Sequence, residues 1–188
     1  KDWNNIVFDH VPSLASARYQ KAFGRHCGDA YTAYKKGLVT VKEDGTTERK
    51  INAAAVFPYD VVKSIHNGDR QVAEAQWKAM PNFLGDNKIL PIVDVSGSMT
   101  NWGYYGQRAP IKSNVTPMDV AISIGLYCAD KQEGAFSGAF MTFSSQPKLQ
   151  ILTGSLTDKI NQLARAHWEM STNIEAAFQE ILSTAKRN

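Results

Sequence analysis

A chain in which Ile89, Leu90, Ile92 and Val93 run into Asp94, with Ser96 and Ser98 following at alternate positions, has few folds open to it. Such a run of β-branched and aliphatic residues suits a strand buried on both faces, as in a central parallel strand. Asp94 falls where that strand should end, and Gly97 frees the backbone to turn between the two serines. The carboxylate and the two hydroxyls are therefore expected to converge at the carboxyl end of a parallel strand, where open α/β sheets place their ligands. Hard oxygen donors of this kind suit Mg²⁺ or Mn²⁺ better than zinc, with Ca²⁺ as a further option.

The pattern on either side of this run differs. Before it, Pro12 and Ser13 should start a helix carrying Ala15, Tyr19, Ala22 and Phe23 on one face, ended by Gly28 and followed by a short helix with Tyr31 and Tyr34. Residues 38–51 read as a small exposed hairpin around Asp44-Gly45. Helices are expected at Pro58–His66 and Arg70–Met80. After it come a helix at Pro117–Lys131, strands at Ala135–Phe143 and Lys148–Leu152, and a helix at Ser155–Ala166. The last helix shows an inward stripe of Ile174, Ala177, Phe178, Ile181 and Leu182. The expected organisation is a mainly helical segment over 1–85 and an α/β domain over 86–188.

Composition narrows the function classes. Hydrophobic residues are 43% and charged residues 21%, which places the chain among ordinary globular domains rather than disordered ones. A net charge of +3 falls short of a dedicated nucleic-acid binder. Cys27 and Cys128 are far apart, so neither a disulfide framework nor a cysteine zinc site is suggested. Val120–Ala129 is far too short to span a membrane, no secretory segment is visible, and the expected setting is cytoplasmic.

Asp94-x-Ser96-x-Ser98 after a buried strand resembles the metal-ion-dependent adhesion site (MIDAS) of von Willebrand factor A (vWA) domains. Ser171-Thr172-Asn173, just before the last helix, strengthens the likeness. The resemblance implies a three-layer, Rossmann-like open sheet with helices on both faces. It also implies metal ligands at Ser96 and Ser98, Asp94 acting directly or through water, and Thr172 joining when a partner binds. From KINAAAVFPYDVVKSI through QVAEAQWKAM and the metal motif to WEMSTNIEAAF, about residues 50–185, the chain resembles the DUF2828 family, whose helical region is related to that of Ro60/TROVE proteins. That likeness implies possible RNA binding, or pairing with a MoxR-type AAA+ ATPase. The family pattern also expects a further strand ending in an acidic ligand; none follows Leu182, so the A-type domain is expected to be incomplete at its C-terminus.

Other readings compete with these. Asp94 could cap its own turn, with Ser96 and Ser98 bonding local amides. Thr172 could cap the last helix, with Glu175 completing a capping box, and Asp119 should complement a helix dipole. Trp102, Tyr104 and Tyr105, in a Gly-rich loop next to the metal motif, would form an aromatic rim for a partner or simply cover the sheet edge. Arg18, Lys21, Arg25, Lys35 and Lys36 are the candidate RNA contacts, with Tyr19, Tyr31 and Tyr34 for stacking, against a solvated face with core tyrosines. No Gly-x-Ser-x-Gly elbow, positioned histidine or phosphate loop is present, so a non-catalytic chain is expected. The leading expectation is a divalent-metal-dependent interaction module whose protein partner supplies an acidic residue to the metal. A Ro60-type RNA-binding component is the first alternative. The second is a structural subunit of a larger assembly, phage or AAA+-linked, with an empty metal site.

Overall fold

Two breaks in helical dihedrals shape the N-terminal region of the computed structural model, which describes residues 2–67, 69–99, 115–133, 136–143, 145–165 and 173–187. Helix α1 spans Ser13–Arg18, α2 Gln20–His26 and α3 Gly28–Val39. Tyr19 (φ −100°, ψ 11°) and Cys27 (φ −146°, ψ 44°) separate them. The single helix expected from Pro12 to Gly28 is thus two, and Gly28 opens a helix instead of ending one. The break also undoes the expected apolar face, since Tyr19 is 57% exposed while Phe23 is buried. Phe23 then meets Phe8 edge-on at 5.3 Å and Tyr31 at 5.5 Å, geometries aromatic pairs favour. Tyr34, Leu38, Cys27 and Val72 complete this core.

The expected hairpin is reduced to one antiparallel bridge, Val41 to Thr47. Its first arm is lost because α3 runs on through Leu38, a buried residue that gains more from the helical core than from an exposed strand. The turn itself forms: Gly45 takes a φ of 80° and Asp44 Oδ1 accepts from Thr46 N at 2.9 Å. Beyond it Arg49 crosses α3 so closely that a Cβ on Gly37 would lie 2.5 Å from its Cγ.

Helices α4 (Pro58–Asn67) and α5 (Arg70–Ala79) complete this unit, which comprises Lys1–Pro81 with Ser155–Thr157. Gln76 on α5 is fully buried and donates to Ser13 O (2.8 Å) and Asn52 O (3.3 Å). Glu74 on α5 accepts from Leu156 N (3.0 Å) and Thr157 N (2.8 Å). Asp69 caps α5 by accepting from Gln71 N and Val72 N, and its other oxygen holds Lys35 Nζ at 2.6 Å. Loss of such a cap costs about 1 kcal/mol, whereas asparagine caps as well as aspartate. Asp69→Ala should therefore destabilise the protein by about 1 kcal/mol and Asp69→Asn by less. Equal urea midpoints for the two variants would assign the whole effect to the Lys35 ion pair.

The second unit, Asn82–Gly154 with Asp158–Asn188, is mixed α/β with a three-stranded sheet in the order β1-β2-β3. Strand β1 is Ile92–Asp94, β2 Ala139–Phe143 and β3 Leu149–Ile151. β1 and β2 are parallel, with Asp94 opposite Phe143, and β2 and β3 are antiparallel. β1 starts later than Ile89 because Pro91 has no N–H to donate, although its carbonyl still accepts from Met141 N at 3.1 Å. β2 starts at Ala139, after Gly138 turns with φ 74°; a Cβ there would lie 2.6 Å from Leu152 O.

Between the parallel strands runs α6, Pro117–Lys131, started by a capping box in which Thr116 and Asp119 bond each other's backbone N–H. Gly125 sets its distance from the sheet: a Cβ there would sit 2.4 Å from Val93 Cγ2 and 2.9 Å from Phe140 Cε2. Helix α7 spans Leu156–Ala164 and α8 Ile174–Arg187. α8 packs against β2 and buries Ala177, but the expected inward stripe is mostly outside. Ile174 is 57%, Phe178 64% and Leu182 51% exposed, because the buried arc of this helix is centred on the small Ala177. No described helix is long and apolar enough to cross a membrane.

Candidate metal centre

The motif folds by local hydrogen bonding at the end of β1. Val93 and Val95 point inward and are buried, which places Asp94 on the other side of the strand, half-buried at its carboxyl end. Asp94 Oδ1 accepts from Ser96 N at 2.8 Å. A 3₁₀ turn, Gly97–Met99, follows and is closed by Met99 N donating to Ser96 O at 2.9 Å. This turn brings Ser96 Oγ and Ser98 Oγ to 2.9 Å from each other. The two hydroxyls thus meet within one turn of the Asp94 carboxylate, whose Oδ2 bonds to none of the described residues. Asp94 also caps its own turn, and that bond uses only one of its two oxygens.

The remaining expected site residues are distributed differently. Thr172, Trp102, Tyr104 and Tyr105 lie outside the described residues. The cap of α8 is Asn173, whose Oδ1 accepts from Ala176 N at 2.9 Å, so the capping role expected of Thr172 belongs to its neighbour. Sequence reasoning missed this although Ser171-Thr172-Asn173 offers three residues able to cap; only the helix start, at Ile174, picks one. Among the described residues no three of His, Cys, Asp and Glu come together. Any cation here would rest on hydroxyls as much as on carboxylates.

In the helical unit Arg18, Lys21, Arg25 and Lys36 are exposed, while Lys35 is bound to Asp69 and lies over the Tyr31 ring at 5.2 Å. Tyr31 and Tyr34 are each 4% exposed, and Tyr34 donates to Lys50 O, so neither offers a ring face for stacking; Tyr19 does. Burial pushes the Cys27 and Cys128 thiols up, away from the thiolate form that nucleophilic chemistry needs.

Comparison with known proteins divides the chain near the start of the sheet. Residues 1–89 match the family described as "Domain of unknown function (DUF2828)", and residues 88–188 match "Domain of unknown function (DUF7788)". The DUF2828 likeness therefore covers the helical region, whereas the sequence reading placed it over about 50–185 and across the metal motif. "Uncharacterized protein L728" of Acanthamoeba polyphaga mimivirus is 30% identical over 200 residues, which cover 97% of this chain and 32% of that protein. The chain thus spans about a third of the length of this curated relative. No solved structure matches.

Proposed function

We propose, for a chain that belongs to the DUF7788 family through residues 88–188, that this α/β unit is a divalent-metal-dependent interaction module of the vWA type, non-catalytic, with Asp94, Ser96 and Ser98 as described ligands. The observation that carries this reading is the grouping, within one turn at the carboxyl end of a parallel strand, of Asp94 with Ser96 and Ser98, whose hydroxyls hydrogen-bond each other at 2.9 Å. In an octahedron with metal–oxygen bonds of about 2.0–2.1 Å, adjacent ligand oxygens lie about 2.9 Å apart. Seven-coordinate Ca²⁺ also brings adjacent oxygens to about 2.8 Å, so the spacing admits Mg²⁺, Mn²⁺ and Ca²⁺ alike. The parallel β1–α6–β2 arrangement supports it further, because ligands in such sheets gather at the carboxyl ends of the strands.

A bound cation would supply an open coordination position for an anionic oxygen. Asp94 would hold it through the carboxylate oxygen not used by Ser96 N, and the two hydroxyls would fix two adjacent positions. A partner carboxylate completing the set is then favoured over water by charge. Thr172 is the proposed fourth protein ligand, and Trp102, Tyr104 and Tyr105 the proposed rim.

Thermal melting tests this. Metal at ten times its dissociation constant adds about 1.4 kcal/mol to stability, a rise of roughly 3–6 °C for a protein of this size. Mg²⁺ or Mn²⁺ should raise the midpoint of the wild type and leave Asp94→Asn unmoved. That substitution keeps the acceptor for Ser96 N and removes the charge, so it separates ligand from turn. Identical metal-induced shifts in both proteins would leave Asp94 as a turn residue only.

A second reading rests on the exposed Arg18, Tyr19, Lys21 and Arg25, which form a basic and aromatic surface suited to RNA phosphates. Affinity of that kind falls steeply with monovalent salt and ignores chelator, the reverse of the metal-bridged mode.

A further inference from the structure

The parallel register brings a second feature to the same edge of the sheet. β2 leaves the sheet opposite Asp94, and Ser145, two residues beyond Phe143, borders an open hollow of about 620 Å³ against α8. With neighbouring strands about 5 Å apart and at most about 7 Å of chain from Phe143 to Ser145, this rim lies within about 12 Å of Asp94 between Cα atoms. Ser145, Gln146, Asn173, Gln179, Glu175 and Glu180 line the hollow, together with the apolar Pro147 and Ala176. Among the described residues that line it none is basic. Asn173 is engaged as the helix cap and Glu180 accepts from Ser183 Oγ at 3.3 Å, whereas Glu175 is exposed in the first turn of α8. The hollow is shallow and open to solvent, and its lining is more polar than apolar. It suits an extended polypeptide, whose backbone amides the Gln and Ser groups can bond and whose positive side chain Glu175 can pair.

We propose that this cleft receives a Lys or Arg side chain of the same partner segment whose carboxylate reaches the Asp94 site, so that the module reads an acidic and a basic residue a few positions apart. The inference rests on the proposed metal-dependent reading for the acidic half, and on the cleft alone for the basic half. It gives specificity that a bare metal lacks: any exposed carboxylate can approach a cation, but only a segment with a cation at the right distance also satisfies Glu175.

The test uses the full chain and fluorescent synthetic octapeptides of glycine and serine that carry one Asp and one Lys, with one to six residues between them. Anisotropy is read with Mg²⁺ or with chelator. At the best spacing, replacing Lys by Gln in the peptide should weaken binding by about fivefold, the upper end for an exposed ion pair. Glu175→Gln, whose fold is checked by its melting curve, should cause the same loss with the Lys peptide and none with the Gln peptide, the signature of direct pairing. Equal affinity for Lys and Gln peptides at every spacing would overturn the proposal, and so would an equal effect of Glu175→Gln on both. If chelator abolishes binding while Lys and Gln peptides remain equivalent, the metal reading stands and the cleft proposal falls. A Lys preference that depends on Glu175 and survives chelator with total affinity unchanged supports the cleft and removes the metal. No binding by any peptide overturns the cleft proposal.

Discussion

Gly125→Val is expected to destabilise the α/β unit by about 3 kcal/mol and Gly125→Ala by about 2 kcal/mol, whereas Gly24→Ala should stabilise the protein by about 0.4–1 kcal/mol. All three place a methyl or more on a helical glycine, and only the surroundings differ. At Gly24 nothing lies within 4 Å of the added Cβ, so alanine simply gains helix propensity and restricts the unfolded chain. At Gly125 the added atom would stand 2.4 Å from Val93 Cγ2, far inside the contact distance of roughly 3.5–4.0 Å between carbons. Val93 is β-branched and restricted about χ1, its backbone is paired in the sheet, and Phe140 is fully buried, so neither has room to swing away. α6 must move off the sheet. For a unit of this size the valine variant should melt roughly 10 °C or more below wild type. Val93 precedes Asp94, so the same displacement should blunt the proposed response to Mg²⁺ in a variant that leaves every proposed ligand intact. A Gly125→Ala protein as stable as wild type would mean that α6 packs more loosely than these distances require.

Gln76→Leu is expected to cost about 1–3 kcal/mol, though leucine matches the volume and removes a polar group from the core. The side chain is fully buried and its amide nitrogen donates to two backbone carbonyls, Ser13 O at the start of α1 and Asn52 O before α4. Leucine deletes both bonds, leaving Ser13 O with its helical donor alone and Asn52 O to solvent, and each lost hydrogen bond costs about 0.5–1.5 kcal/mol. Gln76→Glu should be worse at neutral pH, since a carboxylate would face two carbonyl oxygens in place of donating to them. Its deficit should shrink as the pH is lowered and the glutamate takes a proton it can donate. Urea titrations at two pH values read both effects. A leucine variant with an unchanged midpoint would show that water replaces both bonds at no cost.

Local chemistry decided which parts of the fold could be read in advance. α6 has the expected bounds because Thr116, Pro117 and Asp119 give start signals that need no tertiary help, and α5 begins at the expected Arg70 because Asp69 caps it. The breaks at Tyr19 and Cys27 were hidden, since the apolar spacing continues across them and only packing around Phe8 and Phe23 makes them favourable. The stripe on α8 predicted a helix, and a helix forms, but periodicity cannot say how much of a face finds a partner. At the site, the grouping of Asp94, Ser96 and Ser98 was legible because it is local to one turn. The cleft beside it was not, because it joins residues after β2 to residues on α8 that only the register of the sheet brings near.

The contacts of Glu74 with Leu156 and Thr157 have a consequence for the order in which this protein is made. The helical unit comprises residues up to Pro81 and then Ser155–Thr157, so it is not complete when its own helices have emerged from the ribosome. The intervening residues 82–154 take on the order of 4–15 s to synthesise at ordinary rates. During that interval the helices can gather around Phe8, Phe23 and Tyr31, but the carboxylate of Glu74 must wait in solvent for the amides it will bind. The contacts that Glu74 makes with Leu156 and Thr157 therefore cannot form before residues 155–157 have been translated.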